Sequence, residues 1–333
     1  MKRIGNCTLE FETPPSLLAT AAIAGKKEAE GPLGADFDQT FQDTTLNTDS
    51  WEKAEAQLQK EAVALAIEKA GLTAKQMDFI FAGDLLNQCI SSTFGLLDFH
   101  IPFLGQYGAC STMAQTLFLA SIMVESGAAK HAVAVTSSHF CSAERQFRLP
   151  LEYGGQRTPT AQWTATASGC AVVGMGGNIK IKRALAGKIV DLGVKDAANM
   201  GAAMAPAAAT SIYEFLEDTG TAPQDYDAIF TGDLGLVGSR LLCETLLQNK
   251  VDIRDRHKDC GLMIYDLENQ DVHAGGSGCG CSASVLCGHI VKNLQHRNLN
   301  NILFCATGAL MSPTSQQQGE NIPGVCHVIQ LST

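Results

Sequence analysis

The chain repeats part of its own sequence, and this repeat constrains its fold more than any other feature. The segment GLTAKQMDFIFAGDL, Gly71 to Leu85, and the segment GTAPQDYDAIFTGDL, Gly220 to Leu234, share seven of 15 positions at an offset of 149 residues. Each follows a helical stretch and passes through a glycine turn into a short apolar strand that ends in Gly-Asp. A second similarity, between the segments that begin at Cys110 and Cys281, has an offset of 171 residues.

Together the two similarities indicate a duplicated unit of helices and strands. The offset grows by 22 residues, so the second copy has a longer connection between its strand and its helix. The helices that begin at Cys110 and Cys281 are apolar, which predicts that both are buried between two mainly parallel sheets. We therefore predict an α/β fold, a five-layer αβαβα sandwich of two pseudo-symmetric halves, residues 1–175 and 176–333.

Three smaller predictions concern individual elements. The first 50 residues lack a strong periodicity and are expected to wrap the first sheet, with Asp49 or Ser50 capping a helix that starts near Trp51. The segment GKIVDLGV, residues 187–194, is predicted to be a strand that completes the second sheet. The carboxyl-terminal segment is predicted to end in an edge strand.

Composition and charge limit the classes of function. With 45% apolar and 17% charged residues the chain is typical of a globular protein, and a net charge of −10 argues against nucleic acid as a partner. No secretory signal and no membrane-spanning run is apparent, and the 12 cysteines fit a reducing compartment. We expect a cytoplasmic protein in which most cysteines are buried and apolar in character.

Nearly the whole chain resembles, in order, the thiolase superfamily and, within it, the stage V sporulation protein AD family. The resemblance is carried by the motifs GPLGADFDQTF, AGDLLNQ, IPFLGQYGACST, TSSHFCSAERQFR, EYGGQ, NMGAAMAPAAA, HKDCGLMIYD, AGGSGCGCSA and ATGALMSPTS. It implies a thiolase-like fold, a homodimer, and a protein that binds dipicolinic acid (pyridine-2,6-dicarboxylate). It further implies uptake of this acid, with calcium, into the developing spore. The site of action would be the inner forespore membrane, reached through membrane proteins of the stage V sporulation A complex.

Cys110 is the candidate nucleophile of such a fold. A cysteine at a helix N-terminus meets free backbone N–H groups and a partial positive charge, which stabilise a thiolate and suit acyl transfer. The alternative is a small buried cysteine at a tight junction between sheet and helix. The sequence around Cys110 does not decide between these two interpretations.

The bases that would serve Cys110 are missing from the positions that the resemblance indicates. Where condensing enzymes have a histidine after the second-half strand, this chain has Gly232 or Asp233. In the glycine-rich loop, residues 275–282, Ser277 stands near the histidine position of degradative thiolases, and Cys279 near an asparagine of condensing enzymes. His273 lies four residues before Ser277 and is more simply a residue that packs the loop. Without a base the reaction would slow by about 10²–10⁴, so a binding site is predicted.

The predicted ligand site uses cations, backbone donors and polar side chains. Arginines bind carboxylates through their fork of N–H groups, and helix N-termini and glycine-rich loops supply further donors. Asp84 and Asp233 stand at the ends of the repeated strands, where α/β folds usually hold their sites. Of these two aspartates Asp84 is favoured, because its half also supplies Cys110; the alternative is a turn or cap after the strand. A segment of about residues 139–165 is expected to cap the pocket. The predicted ligand-binding residues are Asp84, Cys110, His139, Arg145, Arg148, Arg157, Asp233, Ser277 and Cys279.

We therefore predict non-catalytic binding of dipicolinic acid, free or as its calcium chelate, with no cofactor and no resident metal. Cys279, Cys281, Cys287 and His289 lack the paired spacing of a structural zinc site. Two alternatives stay open: an active acyl-CoA condensing or thiolytic enzyme that uses Cys110, and a scaffold of the membrane uptake complex. For the arginines, the alternative is ion pairing at the surface.

Overall fold

The two halves of the chain have the same order of strands in their sheets. The computed structural model describes residues 1–147 and 157–333. The first sheet contains β1 Ser16–Ala24, β2 Phe79–Gly83, β3 Phe103–Gly105, β4 Ala132–Ser138 and β5 Ala167–Gly174. The second contains β6 Ile179–Leu185, β7 Ala228–Thr231, β8 His257–Asp259, β9 Asn301–Ala309 and β10 Gly324–Ser332.

Strand pairing shows the duplication directly. The first sheet runs in the order β3-β2-β4-β5-β1, and the second runs in the corresponding order β8-β7-β9-β10-β6. In each sheet the first three strands of this order are parallel, and the other two pair antiparallel. The sheets also share hydrogen bonds with each other, because β1 pairs with β6 at Leu17 and Ile179. The predicted boundary at residue 175 falls in the connection between β5 and β6.

Five helices form the other three layers of the sandwich. They are α1 Trp51–Lys69, α2 Thr112–Glu125, α3 Met200–Thr219, α4 Gly235–Gln248 and α5 Cys279–Val285. The outer helix α1 packs on β1, β4 and β5, and α3 packs on β9 and β10 with α4 beside it. Between the sheets, α2 contacts strands of both, and α5 packs on β1, β4 and β5. The predicted five-layer fold with its two buried central helices is therefore confirmed.

The remaining elements are short. Further helices span Lys26–Ala29, Ile90–Leu96, Phe140–Phe147, Cys260–Met263, Val291–Gln295 and Pro313–Gln317, with a π-helical turn at Leu286–Ile290. Single 3₁₀ turns span Gly34–Asp36, Ala74–Gln76, Asn87–Cys89, Leu97–Phe99, Ala109–Ser111, Ala197–Asn199 and Pro223–Asp225. Short strands span Lys2–Ile4, Thr8–Glu10, Gln39–Thr40, Trp163–Thr164 and Gly276–Ser277. In the described ranges, 1–147 and 157–333, no helix combines the length and apolarity that crossing a bilayer requires.

The smaller predictions have mixed outcomes. Ser50 caps α1 as predicted, its hydroxyl accepting from the Lys53 N–H. The first 50 residues do more than wrap the sheet, because β1 lies within it. The strand predicted at residues 187–194 was wrong: only Val190 forms a bridge, since the Asp191 carboxylate accepts from the Gly193 N–H and turns the chain. The predicted carboxyl-terminal edge strand was also wrong, because β10 pairs on both sides, with β9 and β6.

Candidate functional site

A cavity of about 820 Å³ lies where the two halves meet. Its wall is built by residues that follow β2 and β9, by the turn before α2, by the helix Phe140–Phe147 and by the start of α3. Parallel α/β sheets commonly hold their sites at the carboxyl ends of their strands, and this cavity has that position and the volume of a small-molecule site. The wall includes Tyr107, Cys110, Arg157, Lys195, Ser277 and Gln316.

Cys110 lies on the wall in the turn Ala109–Ser111, directly before α2. Ala109 has a φ of 49°, in the left-handed region that non-glycine residues adopt only under strain. Burial raises the pKa of the Cys110 thiol well above its ordinary value, and the neighbouring Asp233 carboxylate raises it further, while the Gly278 N–H lowers it. The thiol is therefore protonated at neutral pH, and a protonated thiol is a poor nucleophile.

Asp233 joins the glycine-rich loop to the strand ends beside Cys110. Its carboxylate accepts hydrogen bonds from the Gly278 N–H at 2.9 Å and from the hydroxyls of Ser277 at 3.1 Å and Thr307 at 3.0 Å. Asp233 is fully buried, and burial raises its pKa. Of the two equivalent aspartates it is Asp233, therefore, that lies beside the thiol.

Asp84 has a different environment from Asp233, although neither aspartate is among the described residues that line the cavity. Its buried carboxylate accepts from the Leu86 N–H at 2.9 Å, the Ser92 N–H at 2.8 Å and the Ser92 hydroxyl at 2.6 Å. These bonds fix the turn after β2 and the start of the helix Ile90–Leu96. Asp84 does not line the cavity within the described part of the chain. Its role is the turn and cap that was the alternative interpretation.

The two predicted residues of the glycine-rich loop separate in space. Ser277 lies on the cavity wall, in the short parallel ladder that Gly276–Ser277 forms with Trp163–Thr164. Cys279 is fully buried behind the wall, where its thiol donates to the Ala109 carbonyl at 3.0 Å. Cys279 packs against Cys110 from inside the protein, so the structure does not place it in contact with the cavity.

His139 is a structural histidine, in contrast to its predicted ligand contact. Its Nδ1 accepts from the Cys141 N–H at 3.1 Å, and its Nε2 therefore carries the hydrogen that is donated to the Thr44 carbonyl at 2.8 Å. The side chain is buried, and burial lowers its pKa. With both ring nitrogens engaged, His139 caps the helix Phe140–Phe147 and does not line the cavity.

The three predicted arginines have three different outcomes. Arg145 lies at the surface and away from the cavity, paired with Glu52 through both its Nε and Nη2 and placed 5.2 Å from the ring centroid of Trp51. This is the surface pairing that was the alternative. Arg148 lies outside the described residues. Arg157 does line the cavity, and its Nη2 donates to the Gln162 carbonyl.

Two residues near the cavity, one on its wall and one behind it, were missed in the sequence. Lys195, just before α3, lies on the wall and donates to the Gly319 carbonyl at 2.8 Å. Trp163 stacks under Arg157, with its ring centroid 5.0 Å from the guanidinium carbon. A lysine next to the motif NMGAAMAPAAA and a tryptophan in the expected capping segment were the available signals, but the hydrogen-bond partner of Lys195, Gly319, lies 124 residues away.

No histidine is found among the described residues that line the cavity. His273, the one histidine near the glycine-rich loop, has its Nε2 3.2 Å from the Asp271 carboxylate and does not line the cavity. The arrangement thus combines a buried thiol, a carboxylate that raises the pKa of this thiol, and two cationic side chains on the cavity wall. It is suited to holding an anion.

This fold, with a cysteine at the start of its first central helix, defines a thiolase-like protein. One similar solved structure is 3-oxoacyl-[acyl-carrier-protein] synthase III from Aquifex aeolicus VF5, at 12% identity over 96% of this chain and 100% of that chain, with a TM-score of 0.59. Another is human mitochondrial 3-ketoacyl-CoA thiolase in complex with CoA, at 12% identity over 98% of this chain and 99% of that chain, with a TM-score of 0.59. At such identity the likeness establishes the fold alone.

Sequence similarity identifies a narrower group of proteins than the fold does. The family described as stage V sporulation protein AD matches residues 5–332. Stage V sporulation protein AD of Bacillus subtilis (strain 168) is 47% identical over 328 residues, which are 98% of this chain and 97% of that protein. The chain belongs to the stage V sporulation protein AD family. The resemblance carried by its motifs is therefore confirmed, and family membership supports a role in sporulation.

Proposed function

We propose that this protein binds dipicolinic acid in the cavity between its halves and catalyses no acyl transfer there. The observation that carries the proposal is the composition of the wall, where Arg157 and Lys195 accompany Cys110 and no described residue is a histidine. Acyl condensation needs a group that takes up and returns protons, and loss of such a group slows a reaction by about 10²–10⁴.

The state of the thiol supports binding over catalysis. Burial and the Asp233 carboxylate keep the pKa of Cys110 high, whereas a catalytic cysteine needs a lowered pKa or an adjacent base. Asp233 is already engaged by the Ser277 and Thr307 hydroxyls and the Gly278 N–H, so it is poorly placed to accept a proton from substrate. The thiol then serves as a small, uncharged part of the binding surface.

The cations match a planar dicarboxylate. Arg157 offers a fork of N–H groups that fits one carboxylate, and Lys195 supplies a second positive charge. Glu144 and Asp196 lie on the same wall and bring carboxylate oxygens, which are the ligands that calcium prefers. A ligand that arrives as its calcium chelate would thus meet groups suited to both of its components.

In the cell, the protein would deliver dipicolinic acid for uptake into the developing spore. We infer that it acts at the inner forespore membrane, bound to membrane proteins of the stage V sporulation A complex. A homodimer is proposed through the edge strand β3, where Phe103 is 40% and Leu104 is 44% exposed. An open strand edge with exposed apolar side chains is suited to pairing with a second copy.

Calorimetric titration of the protein with dipicolinate, with and without calcium, tests this proposal. Acetyl-CoA and malonyl-CoA are titrated in parallel. Saturable binding of dipicolinate that is lost in Arg157→Gln but kept in Arg145→Gln, the surface arginine, is the expected result. Acylation of Cys110 by a CoA ester, detected by mass spectrometry, would overturn the proposal and favour the condensing enzyme. Absence of any small-molecule binding would favour the scaffold.

A further inference from the structure

Trp163 is the centre of a stack that reaches the cavity wall. Its ring lies on the ring of Phe140, with centroids 3.8 Å apart and planes inclined by 8°. The Arg157 guanidinium carbon lies 5.0 Å from the Trp163 centroid, and the Lys27 ammonium nitrogen lies 4.2 Å from it. Phe140 therefore covers one face of the indole, and two cations lie close to the same ring.

The backbone around Trp163 ties this stack to the glycine-rich loop. The Trp163 N–H donates to the Gly275 carbonyl at 2.8 Å, in the parallel ladder that ends at Ser277. The preceding side chain, Gln162, donates to the carbonyls of Gly276 at 2.7 Å and Asp233 at 2.8 Å. The ring is therefore fixed relative to Ser277, which lines the cavity, and to Asp233, which lies beside Cys110.

Arg157 is held from two sides by this arrangement. Its Nη2 donates to the Gln162 carbonyl, and its guanidinium faces the indole ring. A guanidinium over an aromatic face keeps its N–H groups directed from its edge, which is the geometry that a carboxylate binds in its own plane. An arginine held in this way loses less conformational entropy when it binds a ligand.

We propose that Trp163 is a positioning residue, which holds the Arg157 guanidinium so that it binds one carboxylate of a planar dicarboxylate in the cavity. This inference rests on the proposed function. It goes further in assigning the recognition of one carboxylate to a pair of residues, and in predicting that the pair selects a dicarboxylate over a monocarboxylate of the same ring.

The test is a double-mutant cycle with Trp163→Leu, Arg157→Lys and the double variant, titrated with dipicolinate and with picolinate, which has one carboxylate. Trp163→Leu should weaken dipicolinate binding roughly 3- to 30-fold and reduce the preference for dipicolinate over picolinate. The double variant should bind about as weakly as Arg157→Lys alone, because the ring acts through the arginine. Trp51→Leu is the matched control, since Trp51 carries Arg145 in a similar pair away from the cavity.

The outcomes separate this inference from the function on which it rests. If the wild-type protein does not bind dipicolinate, both are overturned. If the wild-type protein binds dipicolinate and Trp163→Leu binds it equally well, the positioning role alone is overturned. The same holds if the losses of binding free energy in Trp163→Leu and Arg157→Lys add in the double variant. Thermal unfolding shows whether Trp163→Leu is folded. If it is not, the same cycle with Trp163→Phe, which keeps a ring against Phe140, should show a smaller loss of about twofold that again vanishes in the Arg157→Lys background.

Discussion

Replacing His257 by glutamine tests whether a neutral imidazole makes the fold sensitive to acid. His257 lies on the edge strand β8, with its Nε2 2.8 Å from the Thr231 hydroxyl oxygen. That hydroxyl donates to the Asp259 carboxylate at 2.6 Å, so it accepts from the Nε2–H of the histidine. Nδ1 then faces the sulfur of Cys243 at 3.8 Å. Protonation of Nδ1 would place a new donor opposite a thiol, which is a weak acceptor.

The size of the effect follows from the pKa. Burial lowers the pKa of His257 from 6.5 to about 4. The unfolded chain therefore binds the proton more tightly than the folded protein, and the free energy of unfolding falls as pH falls below about 6.5. Between pH 7 and pH 5 the loss is at most about 2 kcal/mol, because the side chain keeps some contact with water. Asp259 acts in the opposite direction, since burial raises its pKa to about 7 and its contribution to stability falls as pH rises.

Urea unfolding at pH 7, 6 and 5 measures this contribution as a difference between variants. The stability advantage of the wild type over His257→Gln should shrink by up to about 2 kcal/mol from pH 7 to pH 5. His296→Gln, at an exposed helix end, is the matched control for replacing a histidine by glutamine. Parallel curves for His257→Gln and the wild type would refute the reasoning, because they would mean that the imidazole takes up its proton equally well in both states.

Three further substitutions test the site and the packing. Asp233→Asn should lower the pKa of Cys110 and speed its alkylation by iodoacetamide, followed by mass spectrometry; an unchanged rate would contradict the proposed effect of the carboxylate on the thiol. Ser50→Ala should lower the free energy of unfolding by about 1 kcal/mol in urea titrations, with Ser50→Thr as the control that keeps the cap. Gly169→Ala should lower it by about 3 kcal/mol, because its Cβ would lie 2.3 Å from the backbone of Ala283; a melting temperature equal to that of the wild type would argue against this close contact.

The repeat made the fold predictable, because two copies of one pattern restrict the topology more than either copy alone. Strands with clear apolar runs and glycine turns, such as β2 and β7, were placed correctly. The strand β1 was missed, since SLLATAAIA could equally form a buried helix and its partners β5 and β6 lie more than a hundred residues away. The interior position of β10 likewise depends on pairing with distant strands.

The site was predicted less well, because residue type and spacing do not determine which of two equivalent residues lies beside the Cys110 thiol. Asp84 and Asp233 occupy the same place in the repeat, yet Ser92 engages the first and the glycine-rich loop engages the second. Arg145 and Arg157 lie in the same predicted capping segment, but Arg145 forms an ion pair with Glu52 at the surface. The partners of Asp233 and Arg145 come from distant segments, and no local pattern reveals them.

The pairing of β10 has a consequence for the synthesis of the protein. Residues 324–332 form the strand that lies between β9 and β6, and β6 in turn joins the second sheet to the first. The strands β1 to β5 are therefore synthesised first, but their sheet is covered only after the later helix α5 has been synthesised. In the second sheet, β9 and β6 cannot be joined until residues 324–332 leave the ribosome. The cavity draws its wall from both halves, up to Gln317, so the ability to bind a ligand there requires the second half to have folded against the first.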